Sequence, residues 1–192
     1  MIIGLTGRAR SGKDAIADIL VKHHNFTKIA FAGPIKEMTQ KLLQMTPATL
    51  EQTKDYGLHH LDGVTPRRIM QTLGTDWGRD IIHKELWIRI AEERMNLLME
   101  TSEEGRNLVF TDVRFDNEAE MLLAYDASIY QVNRPGIGGV AQHVSEAGIS
   151  DEYIDGYIYN SGSLEELEEV IHQFIKQLEL WRGPQPHDKP AS

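Results

Sequence analysis

The chain has 192 residues, 41% of them hydrophobic, a formal net charge of −9 and no cysteine. That length and apolar content suit one domain with a real core, and the missing cysteines exclude disulfides, thiolate nucleophiles and cysteine-based zinc sites. The acidic balance speaks against a sequence-independent nucleic-acid binder, which needs a basic face, but leaves room for a small anionic substrate held by a local arginine cluster.

Residues 1–6 read as a buried strand and residues 13–23 as a helix, with Gly7-Arg8-Ala9-Arg10-Ser11-Gly12-Lys13-Asp14 between them. A G-x-x-x-x-G-K run in a strand–turn–helix setting is a phosphate cradle: the glycines let successive N–H groups turn inward, and the helix start adds free N–H groups and the positive end of its dipole. Lys13 then reaches the β- and γ-phosphates of a nucleotide. The residue after the lysine is usually Ser or Thr; here it is Asp14. The adjacent His23 and His24 do not share a helix face, which speaks against metal binding there. Phe26 to Phe31 reads as a second strand, and Gly33-Pro34 opens a helix through Met45 with Ile35, Met38, Leu42 and Leu43 at helical spacing. This order opens an α/β fold with a parallel sheet.

Residues 46–64 show little apolar periodicity and read as an excursion from the core. Thr65-Pro66 is a helix start, with Arg67, Arg68 and Gln71 on the short helix that follows. Gly74 is expected to interrupt it and Thr75 to cap a further turn, Asp76 to Ile82. Trp87, Ala91, Met95, Leu98 and Met99 form the stripe of a longer helix broken at Gly105. Leu108 to Thr111 reads as a buried strand whose carboxyl end carries Asp112 and Arg114, the place where open α/β sheets put ligand sites. Asn117 is expected to cap a helix holding Met121, Leu122 and Tyr125. Ser128 to Val132 is another strand, ending at Asn133-Arg134-Pro135, and residues 136–150 are glycine-rich and lid-like. Ile154 to Tyr159 is a last short strand. Ser163 and Glu166 form a capping-box pair ahead of an apolar stripe of Leu164, Leu167, Val170, Ile171, Phe174, Ile175, Leu178 and Trp181, expected to pack on the sheet. From Gly183 the tail is expected to be disordered. With no basic N-region followed by an apolar run, and no apolar stretch long enough to span a bilayer, the expectation is a soluble, cytoplasmic protein with no membrane partner.

Several segments together resemble the deoxynucleoside monophosphate kinase family of bacteriophages and prophages, within the nucleoside monophosphate kinases. They are Ser11-Gly12-Lys13-Asp14, Ala32-Gly33-Pro34-Ile35-Lys36, the block Gln71 to Asp80, Asp112-Val113-Arg114-Phe115-Asp116-Asn117-Glu118 and Ser145-Glu146-Ala147-Gly148. Aspartate after the loop lysine is usual in that family; Asp116, where proline is common, is a departure. The resemblance implies a three-layer P-loop kinase fold: a parallel five-stranded sheet flanked by helices, a core of 1–45 and 106–182, a helical substrate-binding excursion at 46–105, a lid at about 134–150 and a tail at 183–192. It implies transfer of the γ-phosphate of ATP, assisted by Mg²⁺, to a deoxynucleoside 5′-monophosphate, in the host cytoplasm if the gene is a phage's. Gly7, Arg10, Ser11, Gly12, Lys13, Asp14 and Ala15 are then the donor set, with Asp14 and Asp112 as metal candidates. Lys13, Asp112, Arg114 and Arg134 are the catalytic candidates. Lys36, Arg67, Arg68, Gln71, Trp77, Arg79 and Glu146 are the acceptor-binding candidates, because arginine grips phosphate bidentately and an aromatic ring can stack on a base. Trp77 and Trp87 read equally well as core, and His143 as a surface residue of the lid. Two rivals stay open: another P-loop small-molecule kinase, of the dephospho-coenzyme A or phosphomevalonate type, and a nucleotide-binding protein without turnover. Small molecules are the expected partners, nucleic acid is not, and a monomer and a homodimer are equally open.

Overall fold

The structure is a computed structural model, and it describes residues 1–101, 107–136 and 148–181. Five strands, β1 (Ile2–Thr6), β2 (Phe26–Ile29), β3 (Asn107–Phe110), β4 (Ser128–Asn133) and β5 (Gly156–Tyr159), form one sheet in the order β2-β3-β1-β4-β5. Every pair is parallel. The period-2 alternation of a strand sorts its side chains onto two faces. Ile2, Leu108, Phe110 and Ile129 point into one core, whereas Ile3, Leu5, Val109, Tyr130 and Val132 point into the other.

Helices cover both faces. The second core is closed by α1 (Lys13–His24), through Ile16, Ala17 and Leu20, and by the C-terminal helix, α7 (Leu164–Trp181), through Leu167, Ile171 and Ile175. Burying a side chain of this size contributes roughly 1.5–3 kcal/mol, so these six residues and the strand residues beneath them hold the layer down. The first core is closed by α5 (Leu86–Glu100), through Ile88, Ala91 and Met95, and by α6 (Asp116–Leu123), through Ala119 and Leu122. Although α5 lies within the sequence span expected to form the excursion, its buried face belongs to the sheet core. The segment lifted off the sheet is 46–82. The rest of the helical set is α2 (Gly33–Leu43), α3 (Pro47–Thr53) and α4 (Pro66–Thr72).

The capping signals act as their chemistry dictates. Thr65 Oγ1 accepts from Arg68 N–H with Pro66 in the first turn. On α7, Ser163 and Glu166 exchange both capping-box hydrogen bonds. The same Thr-Pro signal, Thr46-Pro47, starts α3, where the poor apolar periodicity suggested no helix; Thr46 Oγ1 accepts from Thr49 N–H. Two further expectations are corrected. Gly74 does not interrupt the chain: α4 runs on into a π-helical stretch, Leu73–Ile82. The reason is Trp87, which is 3% exposed and donates its indole N–H to the Gly74 carbonyl at 2.7 Å. A Cβ on Gly78 would lie 2.5 Å from the Trp87 ring. Gly78 leaves room for this large ring to press against the helix, and the widened turn accommodates it; at Gly74 a Cβ would meet Ile35 instead, at 3.1 Å. Asn117 is not the cap of α6 either; it lies inside the helix. The Glu118 carboxylate reaches back instead, accepting from Arg114 and Phe115 N–H at 2.8 and 3.2 Å. The long helix does not run to Gly105: it ends at Glu100, where Thr101 N–H bonds the Leu97 carbonyl. Gly105 itself, most of the expected lid and the tail from Gly183 lie outside the described residues.

Candidate active site

The glycine loop leaves the carboxyl end of the central strand β1 and enters α1. Gly7 and Gly12 adopt φ of 126° and 106°, conformations that an L side chain resists. A Cβ on Gly7 would also sit 2.5 Å from the Val132 carbonyl, and one on Gly12 would strike the Asn160 amide. Asn160 is 5% exposed at the end of β5 and donates to the Ser11 carbonyl at 2.9 Å, so the second edge strand ties down the loop. Arg10 is also left-handed, at φ 65°, and Ser11 is buried. Lys13 lies back across the loop: its ammonium donates to the Gly7 and Arg8 carbonyls at 2.7 and 2.8 Å, with Ser11 Oγ at 3.5 Å. Burial, followed by the positive charge of Arg114, lowers the Lys13 pKa to about 8. Arg114 follows the neighbouring strand β3, which runs parallel to β1. Asp14 and Asp112 act on Lys13 in the opposite sense.

Asp14, in the first turn of α1, pairs with Lys28 of β2 at 2.9 Å. Burial would raise its carboxyl; the Lys28 hydrogen bond and charge, with Lys36 and Lys13 beyond, hold it below the ordinary value. Ala15 packs at the border of the second core. Asp112, at the end of β3, is 8% exposed and accepts main-chain hydrogen bonds from Phe31 and Ala32 at 2.8 and 2.9 Å. Both of its oxygens thus anchor the turn into α2, the helix that presents Lys36. Arg134 follows β4 and is exposed.

The acceptor candidates separate into groups. Arg68 and Gln71 line a polar cleft of about 210 Å³ with Thr72, Thr75 and Asp76. Arg67 is held by Asp55 on the excursion, bonding through Nε and, at 3.1 Å, through a terminal nitrogen. The Asp55 carboxyl is held below its ordinary value mainly by that hydrogen bond. Arg79 donates to Glu118 at 3.1 Å and lies 3.9 Å over the Phe115 ring, a cation–π contact. Trp77 is 39% exposed, with its ring 6.3 Å from the buried Trp87. Glu146 and His143 lie outside the described residues.

Two residues of this assembly were given no role from sequence. Glu118 is 3% exposed, and burial together with the nearby Asp112 pushes its carboxyl up to about 7. It joins Arg79 of the excursion to the Arg114 main chain, and so couples the acceptor side to the end of β3. Its only sequence signal is its position three residues after Phe115, at the start of a helix. Asn160 is the other, signalled only as a polar residue at a strand end. The Asp116 departure also has a visible consequence: its carboxylate accepts from Ser150 N–H and Oγ at 2.8 and 2.7 Å, fastening the chain where it returns from the lid span.

Comparison with known proteins bears on the family and the fold. The family model described as deoxynucleotide monophosphate kinase matches residues 44–171. That span starts beyond the glycine loop, so the match and the loop are separate observations. The deoxynucleotide monophosphate kinase of Enterobacteria phage T4 is 24% identical, across 92% of this chain and 99% of its own. The deoxynucleoside-5′-monophosphate kinase of Escherichia phage T5 is 25% identical, across 83% of this chain and 89% of its own. Among solved structures, dephospho-CoA kinase from Campylobacter jejuni aligns with a TM-score of 0.52 at 11% identity, covering 94% of this chain and 98% of that one, a likeness of fold. With two thirds of its length matched by the family model, the chain belongs to the deoxynucleotide monophosphate kinase family.

Proposed function

We propose that the protein transfers the γ-phosphate of ATP to a deoxynucleoside 5′-monophosphate, with Mg²⁺, yielding ADP and the diphosphate. The observation that carries the reading is a phosphate loop with its lysine at the carboxyl end of β1, next to the parallel strand β3, which leads into Arg114. Phosphoryl transfer asks the protein for positioning, charge neutralisation and exclusion of water more than for covalent chemistry. The loop amides of Gly7 to Ala15, Arg10 included, cradle the donor. When a phosphate arrives, the Lys13 ammonium exchanges the Gly7 and Arg8 carbonyls for phosphate oxygens. Arg114 and Arg134 stabilise charge on the transferring group.

The acceptor phosphate is gripped by the arginines of the excursion and of the first turn of α2: Arg67, Arg68 and Arg79, with Lys36. Gln71 and Trp77 face sugar and base; Glu146, the remaining acceptor candidate, lies outside the described residues. The donor chemistry fits Mg²⁺, a hard cation that favours carboxylate and water oxygens. Asp14, with its exposed carboxylate at the start of α1, is the residue to hold it. Asp112 acts chiefly by positioning, since both its oxygens accept main-chain N–H. When bound, the ion supplies neutralisation of phosphate charge. The reading needs only small molecules as partners, with no role for nucleic acid or membrane, and suits a monomer or a homodimer. Among the described residues no helix is long and apolar enough to cross a membrane.

The test is ADP release from ATP and Mg²⁺ against dAMP, dGMP, dCMP, dTMP, the ribonucleotides and dephospho-coenzyme A, with Lys13→Ala as control. At least one deoxynucleotide is expected to give a rate about 10³-fold or more above the control, the scale of losing a charged group at the transferring phosphoryl. ADP above the control only with dephospho-coenzyme A, or with no acceptor at all, overturns the reading.

A further inference from the structure

The end of α1 remote from the glycine loop carries a second convergence of functional groups. A helix of 12 residues is about 18 Å long, so its two ends are separate environments. His23 and His24 close α1, while Glu168 and His172 stand on α7. Their spacing of four puts Glu168 and His172 on one face of α7. The packing of Ile16, Ala17 and Leu20 against Leu167, Ile171 and Ile175 sets α7 against α1. His23 Nε2 lies 2.8 Å from Glu168 Oε1, and His172 Nε2 lies 3.8 Å from the same oxygen. One donor atom from each of the three residues falls within 4.8 Å of the other two. The second nitrogen of His172, Nδ1, meets His24 Nε2 at 2.9 Å. With the His172 proton on Nδ1 and donated to His24, the Nε2 lone pair is left for the side occupied by Glu168 and His23.

We propose that His23, Glu168 and His172 bind one divalent ion of the zinc class, with His24 as the positioning residue that orients the His172 ring. Two imidazoles and one carboxylate form a familiar three-ligand zinc set, with water completing the tetrahedron. A ligand histidine whose other nitrogen is held by a hydrogen-bonding partner is the usual supporting arrangement. Metal–ligand bonds of about 2.0–2.2 Å place tetrahedral donors about 3.3 Å apart. The two distances to Glu168 bracket that value, and no separation has to close by more than about 1.5 Å. Rotation of partly exposed side chains supplies such a movement. Imidazole nitrogen selects zinc, cobalt or nickel over Mg²⁺, which keeps to oxygen ligands and water. The ion therefore does not duplicate the one at the phosphates. It fastens the far end of the helix that presents the glycine loop to the last helix of the fold.

The experiment uses the full chain, stripped with EDTA and held in excess MgCl₂, titrated with ZnCl₂ by calorimetry and with CoCl₂ by visible absorption. One Zn²⁺ per chain is expected, with the Co²⁺ spectrum of a four-coordinate site. At about 100 times the dissociation constant, Zn²⁺ raises Tm by on the order of 5–10 °C. His172→Gln and Glu168→Gln each remove the Co²⁺ spectrum and the Tm rise, and His24→Gln weakens Zn²⁺ affinity by about 10-fold or more. His59→Gln/His60→Gln, the other adjacent pair, changes none of these. Wild type that shows no saturable Zn²⁺ binding, or a His172→Gln variant that binds as wild type does, leaves only a hydrogen-bonded histidine pair beside an ion pair and overturns the proposal.

Discussion

On the proposed reading, the donor loop and the acceptor side solve the same problem, holding a phosphate, by opposite means. The loop is nearly self-contained: Gly7 to Lys13 make their own turn, Lys13 bonds carbonyls within six residues of itself, and the distant Asn160 ties the loop down. The acceptor side is assembled from α4 with its π-helical continuation, the excursion around Asp55, and the end of β3. Its arginines are engaged one by one, Arg67 with Asp55 and Arg79 with Glu118. A site made of main-chain N–H groups needs glycines at fixed offsets; a site made of long side chains needs partners that hold each guanidinium in place.

The largest effect should come from breaking the self-contained half. Gly12→Ala adds a Cβ at φ 106° and drives it into the Asn160 amide. Strain plus the lost Asn160–Ser11 hydrogen bond is expected to cost about 2–4 kcal/mol. The measured signs are a Tm lowered by several degrees and loss of ATP binding in calorimetry; a variant with native Tm and native affinity would show that the loop does not need its glycine.

Next in size is a contrast within the assembled half. Arg114 is exposed and has no ion pair among the described residues, whereas Arg79 is tied to Glu118 and Phe115. Arg114→Ala should lower kcat by about 10²-fold or more with Tm nearly unchanged. Arg79→Ala leaves the buried Glu118 carboxylate without its counter-charge and should lower Tm by several degrees in addition to raising the acceptor KM. Equal Tm losses in the two variants would erase the distinction between a free and a held arginine.

The smallest effect is one of pH. Lys13 has its pKa lowered to about 8 by burial and Arg114, so it is charged below that value and loses its proton as pH rises through it. The value of kcat/KM for ATP reports the free enzyme and should fall by about 10-fold from pH 7 to pH 9. Where stability is concerned the sign is reversed: between about 8 and the ordinary 10.5 the unfolded chain binds more protons, so the Lys13 contribution to stability rises with pH there. A flat kcat/KM profile to pH 9.5 would mean that the loop holds its lysine fully charged.

Much of the fold and the donor half of the site were legible in the linear sequence because their determinants are local. The glycine spacing, the apolar runs of β1, β3 and β4, the Thr65-Pro66 start and the Ser163–Glu166 box each act within a few residues. The helix α3 was equally signalled, by Thr46-Pro47, but its weak periodicity masked it. The remainder depended on distance in space. No pattern in the sequence shows that Trp87 will bond the Gly74 carbonyl, press on Gly78 and turn two separate helical turns into one widened helix. Nor does one show that Asp112 will be occupied by the N–H groups of Phe31 and Ala32, or that Glu118 will be the buried joint between Arg79 and Arg114.

The histidines show the division most plainly. Adjacent residues on a helix point apart, so His23-His24 alone carried no metal signal. Tertiary packing brings α7 alongside, and Glu168 and His172 complete the cluster. The sequence by itself determined what short-range geometry controls: the apolar runs of the strands, most of the caps and the phosphate loop. Only the tertiary structure decided which charged side chains meet, because residues up to 149 positions apart in the chain are joined by burial of the two cores rather than by spacing.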